Sequence, residues 1–94
     1  MCRGTSVYAS VSDFSDEVDR LIDLAEKYKE QDPDAALKQL AIIAPKLNSL
    51  PLVKRIQYYN VLAQAHATLA QYSLSKSTAS KGLNLATELT SPHM

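Results

Sequence analysis

Residues 56–69 read IQYYNVLAQAHATL, from Ile56 to Leu69. The stretch contains no Gly, no Pro and no long β-branched run, and small or apolar side chains occupy nearly every turn. Only one edge is polar. A helix with so narrow a polar edge cannot lie on a surface with one face in water, because too much apolar surface would stay wet. It needs neighbours on both flanks, so it is expected to be the central helix of a packed array.

The composition agrees. The chain has 94 residues, 46% of them hydrophobic and 21% charged, with two Gly and no Trp. That suffices for one small domain with a modest core, and few glycines among many Ala and Leu argue against an all-β fold. The formal net charge is zero, which gives no bulk electrostatic case for nucleic acid. The charge is unevenly spread, however. Residues 1–34 hold nine acids and four bases, a balance of −5, whereas residues 35–94 hold six bases and Glu88 alone, a balance of +5. Two solvated faces would look like this, and so would a polarised module whose ends attract complementary surfaces, including a second copy of the chain.

Cys2 is the single cysteine, which excludes an intrachain disulfide and a zinc knuckle. No apolar run approaches the roughly 20 residues of a membrane span, so no membrane contact is expected of this segment. Val7-Tyr8-Ala9 before Ser10 has the small-residue form of a signal-cleavage remnant, which would make the protein periplasmic; otherwise it would be cytoplasmic. Residues 1–12 are expected to be a disordered or vector-derived leader and residues 91–94 a tail.

Between these ends four helices are expected. The first spans residues 14–30, capped by Ser12 or Asp13, with Phe14, Val18, Leu21, Ile22, Ala25 and Tyr28 in one apolar stripe. Asp32-Pro33 caps and opens a second helix to about residue 47, because proline suits a first turn whose N–H would be unpaired anyway. Its buried face would hold Ala36, Leu37, Leu40, Ala41, Ile43, Ala44 and Leu47, and Pro45 should kink it or end the regular helix. A break at residues 48–51 leads to a third helix, from residue 51 or 52 to about 70, and Gln71 to a fourth, from residue 72 or 73 to about 89. Gly82 in mid-helix would cost about 1 kcal/mol relative to Ala, which points either to close approach of a neighbouring helix or to tolerated drift.

A shift of 38 residues aligns the two halves. Val18 falls on Ile56, Leu24 on Leu62, Ala25 on Ala63, Tyr28 on His66, Ala41 on Ala79, Ala44 on Gly82 and Leu47 on Leu85. The halves read Leu24-Ala25-x-x-Tyr28 with Leu37-x-x-x-Ala41-x-x-Ala44, and Leu62-Ala63-x-x-His66 with Ser75-x-x-x-Ala79-x-x-Gly82. This pattern resembles the tetratricopeptide repeat, L-G-x-x-Y followed by A-x-x-x-F-x-x-A. It departs from the family in lacking Gly in the first helices, in His66 and Ser75, and in a period longer than the family's usual 34 residues. The longer form looks like the repeats of bacterial regulators, most of all the amino-terminal input region ahead of a GGDEF diguanylate cyclase domain. The resemblance implies an all-α fold of two stacked antiparallel helical hairpins, residues 13–48 and 49–90, a fragment of an α-solenoid.

Chemistry points away from catalysis. No metal-ligand spacing, no Gly-rich phosphate loop and no nucleophile with an evident base occurs, so no enzyme, cofactor or metal site is expected. His66 reads as a core or half-buried histidine. The recurrent carboxylates Asp13, Asp16, Asp19 and Asp23 read as a solvated helix face. Gln57, Asn60, Gln64, Thr68 and Gln71 recur at spacings of three and four, one straight edge of the third helix. Amides both donate and accept and lose less on desolvation than ions. If the halves are repeats, this edge lines the concave groove, with Asp19, Ile22, Glu26, Lys29 and Glu30 as counterparts on the first helix. It reads either as a groove for a protein or peptide or as a polar edge of mixed composition. Leu74, Leu83, Leu85 and Leu89 are expected to form a self-association face, for a homodimer or domain swap through the fourth helix. The expected function is a non-enzymatic interaction module, the sensor or scaffold part of a larger bacterial signalling protein such as a diguanylate cyclase. The alternative is a free-standing four-helix adaptor or histidine phosphotransfer bundle.

Overall fold

The computed structural model describes the backbone of residues 6–90 and the side chains of residues 16–88. Four helices pack against one another: α1 (Ser6–Tyr28), α2 (Pro33–Ile43), α3 (Leu52–Thr68) and α4 (Tyr72–Thr90), with a 3-10 segment, Ala44–Ser49, after α2. There is no strand among the described residues. The helix α1 begins at Ser6, not at residue 14, so residues 6–12 are helical where a leader was expected. The reason lies in the sequence: no Gly or Pro interrupts residues 5–32, and nothing at Ser12 or Asp13 forces a stop upstream.

The break between α1 and α2 follows its expected chemistry. Asp32 is the N-cap and its carboxylate accepts from the Ala35 N–H at 3.3 Å, while Pro33 takes the first helical position. Pro45 ends the regular helix. It has no N–H for the Ala41 carbonyl, and the chain tightens into the 3-10 segment one residue earlier, at Ala44. Leu47 and Leu50 from this segment and its exit still reach the core.

That core is formed by Val18, Leu21, Ile22 and Ala25 of α1, Ala36, Leu40 and Ile43 of α2, Leu47 and Leu50, and Tyr58, Val61 and Ala65 of α3. Ala41 and Ala44, expected inside, are exposed; each sits about 100° around the helix from a buried neighbour, Leu40 or Ile43, and so falls outside the stripe. Burial pushes the Tyr58 hydroxyl above its ordinary pKa of 10.0, reinforced by neighbouring Tyr59, whose ring meets that of Tyr58 edge-on at 5.2 Å.

Helix α3 alone packs substantially on all three other helices, whereas α4 rests chiefly on α3. The result is flat and open, 51 × 43 × 18 Å with a radius of gyration of 15.2 Å; a rounded chain of this length would have about 12 Å.

The α3–α4 contact has a different chemistry from the rest. Thr78 and Gly82 are buried against α3, and the Ser75 hydroxyl donates to the Ala63 carbonyl at 2.8 Å. A Cβ on Gly82 would stand 3.2 Å from both Tyr59 Cβ and Asn60 Oδ1, so Gly82 marks a close helix approach. The turn between these helices is a Schellman motif: Gln71 N–H donates to the His66 carbonyl (2.8 Å) and Ala70 N–H to that of Ala67 (2.9 Å). Ala70 holds the left-handed position at φ 62°, where a Cβ costs about 1–2 kcal/mol.

Ala70→Gly should therefore raise stability by about 1 kcal/mol and Tm by about 4–8 °C; a lower Tm in calorimetry would show that the turn is not under this strain. Gly82→Leu should lose about 1–3 kcal/mol by forcing α4 off α3, while Gly82→Ala, gaining helix propensity against a tight contact, should stay near neutral. Equal denaturation midpoints for the leucine variant and the parent chain would contradict the close approach.

Candidate functional site

Helices α1 and α3 lie side by side with their polar edges turned to one opening. The cleft between them, about 430 Å3, is lined by Ile22, Asp23 and Glu26 of α1 and by Gln57, Asn60, Val61 and Gln64 of α3. Its floor is apolar, since Ile22 and Val61 are buried at 5% and 2% exposure. Its rims are polar and exposed: Asp23 and Glu26 on one side, Gln57, Asn60 and Gln64 on the other.

The rims differ in how far their groups are already engaged. Glu26 is bonded to Lys29 Nζ, one residue past the end of α1, and the Lys29 side chain is only 12% exposed. Asp19 of α1 is paired with Lys54, tying α1 to the first turn of α3. Asp23 holds no ion pair among the described residues, and the three amides hold no side-chain hydrogen bond there. The cleft thus presents one uncommitted carboxylate opposite three uncommitted amides above an apolar floor. Such a set can accept from N–H donors, donate to carbonyls and take up an apolar side chain, which are the three demands of an extended peptide.

Five of the expected groove residues, Ile22, Glu26, Gln57, Asn60 and Gln64, therefore come together. Lys29 contributes only through its bond to Glu26. Thr68 and Gln71 do not line the cleft. The Thr68 hydroxyl donates to the Gln64 carbonyl within the helix at 3.1 Å, and Gln71 accepts from His66 Nδ1 at 2.8 Å. The last links of the amide edge thus fasten the end of α3, because the helix terminates at Thr68. Asp23 is the residue that the edge-reading missed, although its place one turn after Asp19 gave the signal.

Among the leucines expected on a self-association face, Leu74 and Leu83 are exposed at 52% and 67%. Nine positions apart, they point to opposite sides of α4, so they do not share a face. Leu85 is half-buried beside α3, and the Leu89 side chain lies outside the described residues. His66 is half-buried and engaged by Gln71.

No group of three His, Cys, Asp or Glu among the described residues could hold a metal ion, and no described helix is long and apolar enough to cross a membrane. Comparison with protein-family models, with curated proteins and with solved structures found no match to this chain.

The Asp19–Lys54 pair is half-exposed, so its coupling should be modest. A double-mutant cycle with Asp19→Asn and Lys54→Met should give about 0.2–1 kcal/mol at low salt, fading at 1 M salt, where the screening length is about 3 Å. No coupling at low salt would mean that the pair does not tie α1 to α3.

Proposed function

We propose that this chain is a non-enzymatic interaction module that receives an extended peptide segment of a partner protein in the α1–α3 cleft. The observation that carries the reading is the cleft itself: free amides and a free carboxylate over a buried aliphatic floor. The free Asp23 and the half-neutralised Glu26 favour a segment with a basic or N–H-rich character.

In this reading the two hairpins are tetratricopeptide-like repeats and the chain is the sensor or scaffold part of a larger bacterial signalling protein, such as a diguanylate cyclase. The support is positional. Residues 38 apart have like surroundings at several places: Ala25 and Ala63 are both buried, Tyr28 and His66 both half-buried, Ala41 and Ala79 both exposed. The correspondence breaks at Ala44, which is exposed while Gly82 is buried, and at Val18 and Leu47, which are buried while Ile56 and Leu85 are half-buried. A further helix or a second copy would cover the outer side of α4, where Tyr72 and Leu83 are 69% and 67% exposed; a clean monomer in sedimentation equilibrium at high concentration would count against a second copy.

The cleft is tested by selecting binders from a phage-displayed library of random dodecapeptides. Selected peptides should be rich in Lys, Arg and amide residues. They should lose about tenfold or more in affinity for the Asn60→Ala, Gln64→Ala double variant, the effect of two lost hydrogen bonds. The variant's thermal melt should match that of the parent, because both side chains are exposed. Peptides that bind the double variant equally well would remove the cleft from the function.

A further inference from the structure

A second cleft opens on the other side of α3. It measures about 250 Å3 and is lined by Asn48 of the 3-10 segment, Arg55 and Tyr59 of α3, and Lys81, Asn84 and Leu85 of α4. Two cations, two amides and a phenol face it, and no acidic residue lines it. Glu88 lies one turn beyond Asn84, is exposed, and pairs with neither cation.

Arg55 is the telling residue. It is half-buried, yet it forms no ion pair among the described residues. Its Nε–H donates to the Leu50 carbonyl at 3.1 Å, which fixes the plane of the guanidinium and leaves the outer edge of its donor fork open. A guanidinium partly withdrawn from water in this way gains when an anion meets its open edge. Lys81, Asn48 and Asn84 are likewise without a protein partner among the described residues. The Arg55 fork is pre-set for two oxygens of one group, and Lys81 adds a second positive charge.

We propose that this cleft binds the phosphoryl group of a small phosphorylated ligand. Two facing cations match the charge of a phosphate monoester, about −1.5 to −2 at neutral pH. The two amides and the Tyr59 hydroxyl supply further donors, more than a carboxylate would use. The volume is below the roughly 300–1,000 Å3 of pockets that enclose drug-sized molecules, so the group enters by its phosphate end while the remainder stays in solvent. The site is independent of the α1–α3 cleft: it shares no lining residue with it and carries the opposite charge.

The test is a titration of the 15N-labelled chain, at fixed ionic strength, with inorganic phosphate, O-phosphoserine and glutarate. The first two should shift the amides of residues 48, 55, 59, 81, 84 and 85 to saturation, with glutarate weaker. Lys81→Gln should weaken phosphate binding by about fivefold or more, the loss of one charge partner, and Asp23→Asn, in the other cleft, should not weaken it. Equal binding of phosphate and phosphoserine supports the site with free phosphate as its source; tighter phosphoserine supports it with a phosphorylated side chain. Shifts no larger than an equal concentration of chloride produces, binding indifferent to Lys81→Gln, or glutarate bound more tightly than phosphate would each overturn the proposal.

Discussion

The constraint on which this molecule depends is the burial of α3 from two sides by three helices. Tyr58, Val61 and Ala65 face α1 and α2 and join the main core, while Ala63 turns toward α4. Because the helix is apolar around most of its circumference, no arrangement that left one of those sides wet would be stable. The other helices are placed by this demand. Helices α1 and α2 cover one side with aliphatic side chains, and α4 covers the other.

The two coverings differ in kind. On the α1–α2 side stability comes from area: Leu21, Ile22, Leu40 and Ile43 are all nearly or fully buried, at about 25 cal/mol for each Å2 of apolar surface removed from water. On the α4 side the contact is close but has little aliphatic area. Ser75, Thr78 and Gly82 let the backbones approach, and the hydroxyl of Ser75 satisfies the Ala63 carbonyl directly. None of the described α4 side chains enters the main core cluster. Helix α4 is therefore the element whose position is most easily shifted by a change in the small residues beneath it.

This difference explains what could be read in the chain before its structure. Helix count, the Asp32-Pro33 break and the end of regular helix before Pro45 follow from local chemistry, as does the aliphatic stripe of α1. The α1–α3 cleft was also legible, because amides recurring at three and four mark an edge wherever the helix goes. The face of α4 was not. Its leucines suggest one shared apolar face for self-association, yet the buried positions are a threonine and a glycine, beside a half-buried serine, all of which hydropathy scores as surface. Only Gly82 hinted at the contact. The extent of the amide edge was overread for a related reason: spacing continues through Gln71, but the helix stops at Thr68 and the last residues serve its end.

The charge asymmetry of the chain gains its meaning from the same geometry. A balance of −5 in residues 1–34 and +5 in residues 35–94 says nothing of space until the helices are placed. Since α1 and α4 lie against different sides of α3, the acidic segment borders one cleft and the basic segment the other. Asp23 and Glu26 edge the first, Arg55 and Lys81 the second. A chain of zero formal net charge thus carries two clefts of opposite sign with one helix between them. At a Debye length of about 8 Å under physiological salt, each field acts mainly on its own cleft, so the two can select different ligands without cancelling. Any coupling between them would have to pass through α3, by way of the close approach at Gly82, where a Cβ would meet both Asn60 of the first cleft and Tyr59 of the second.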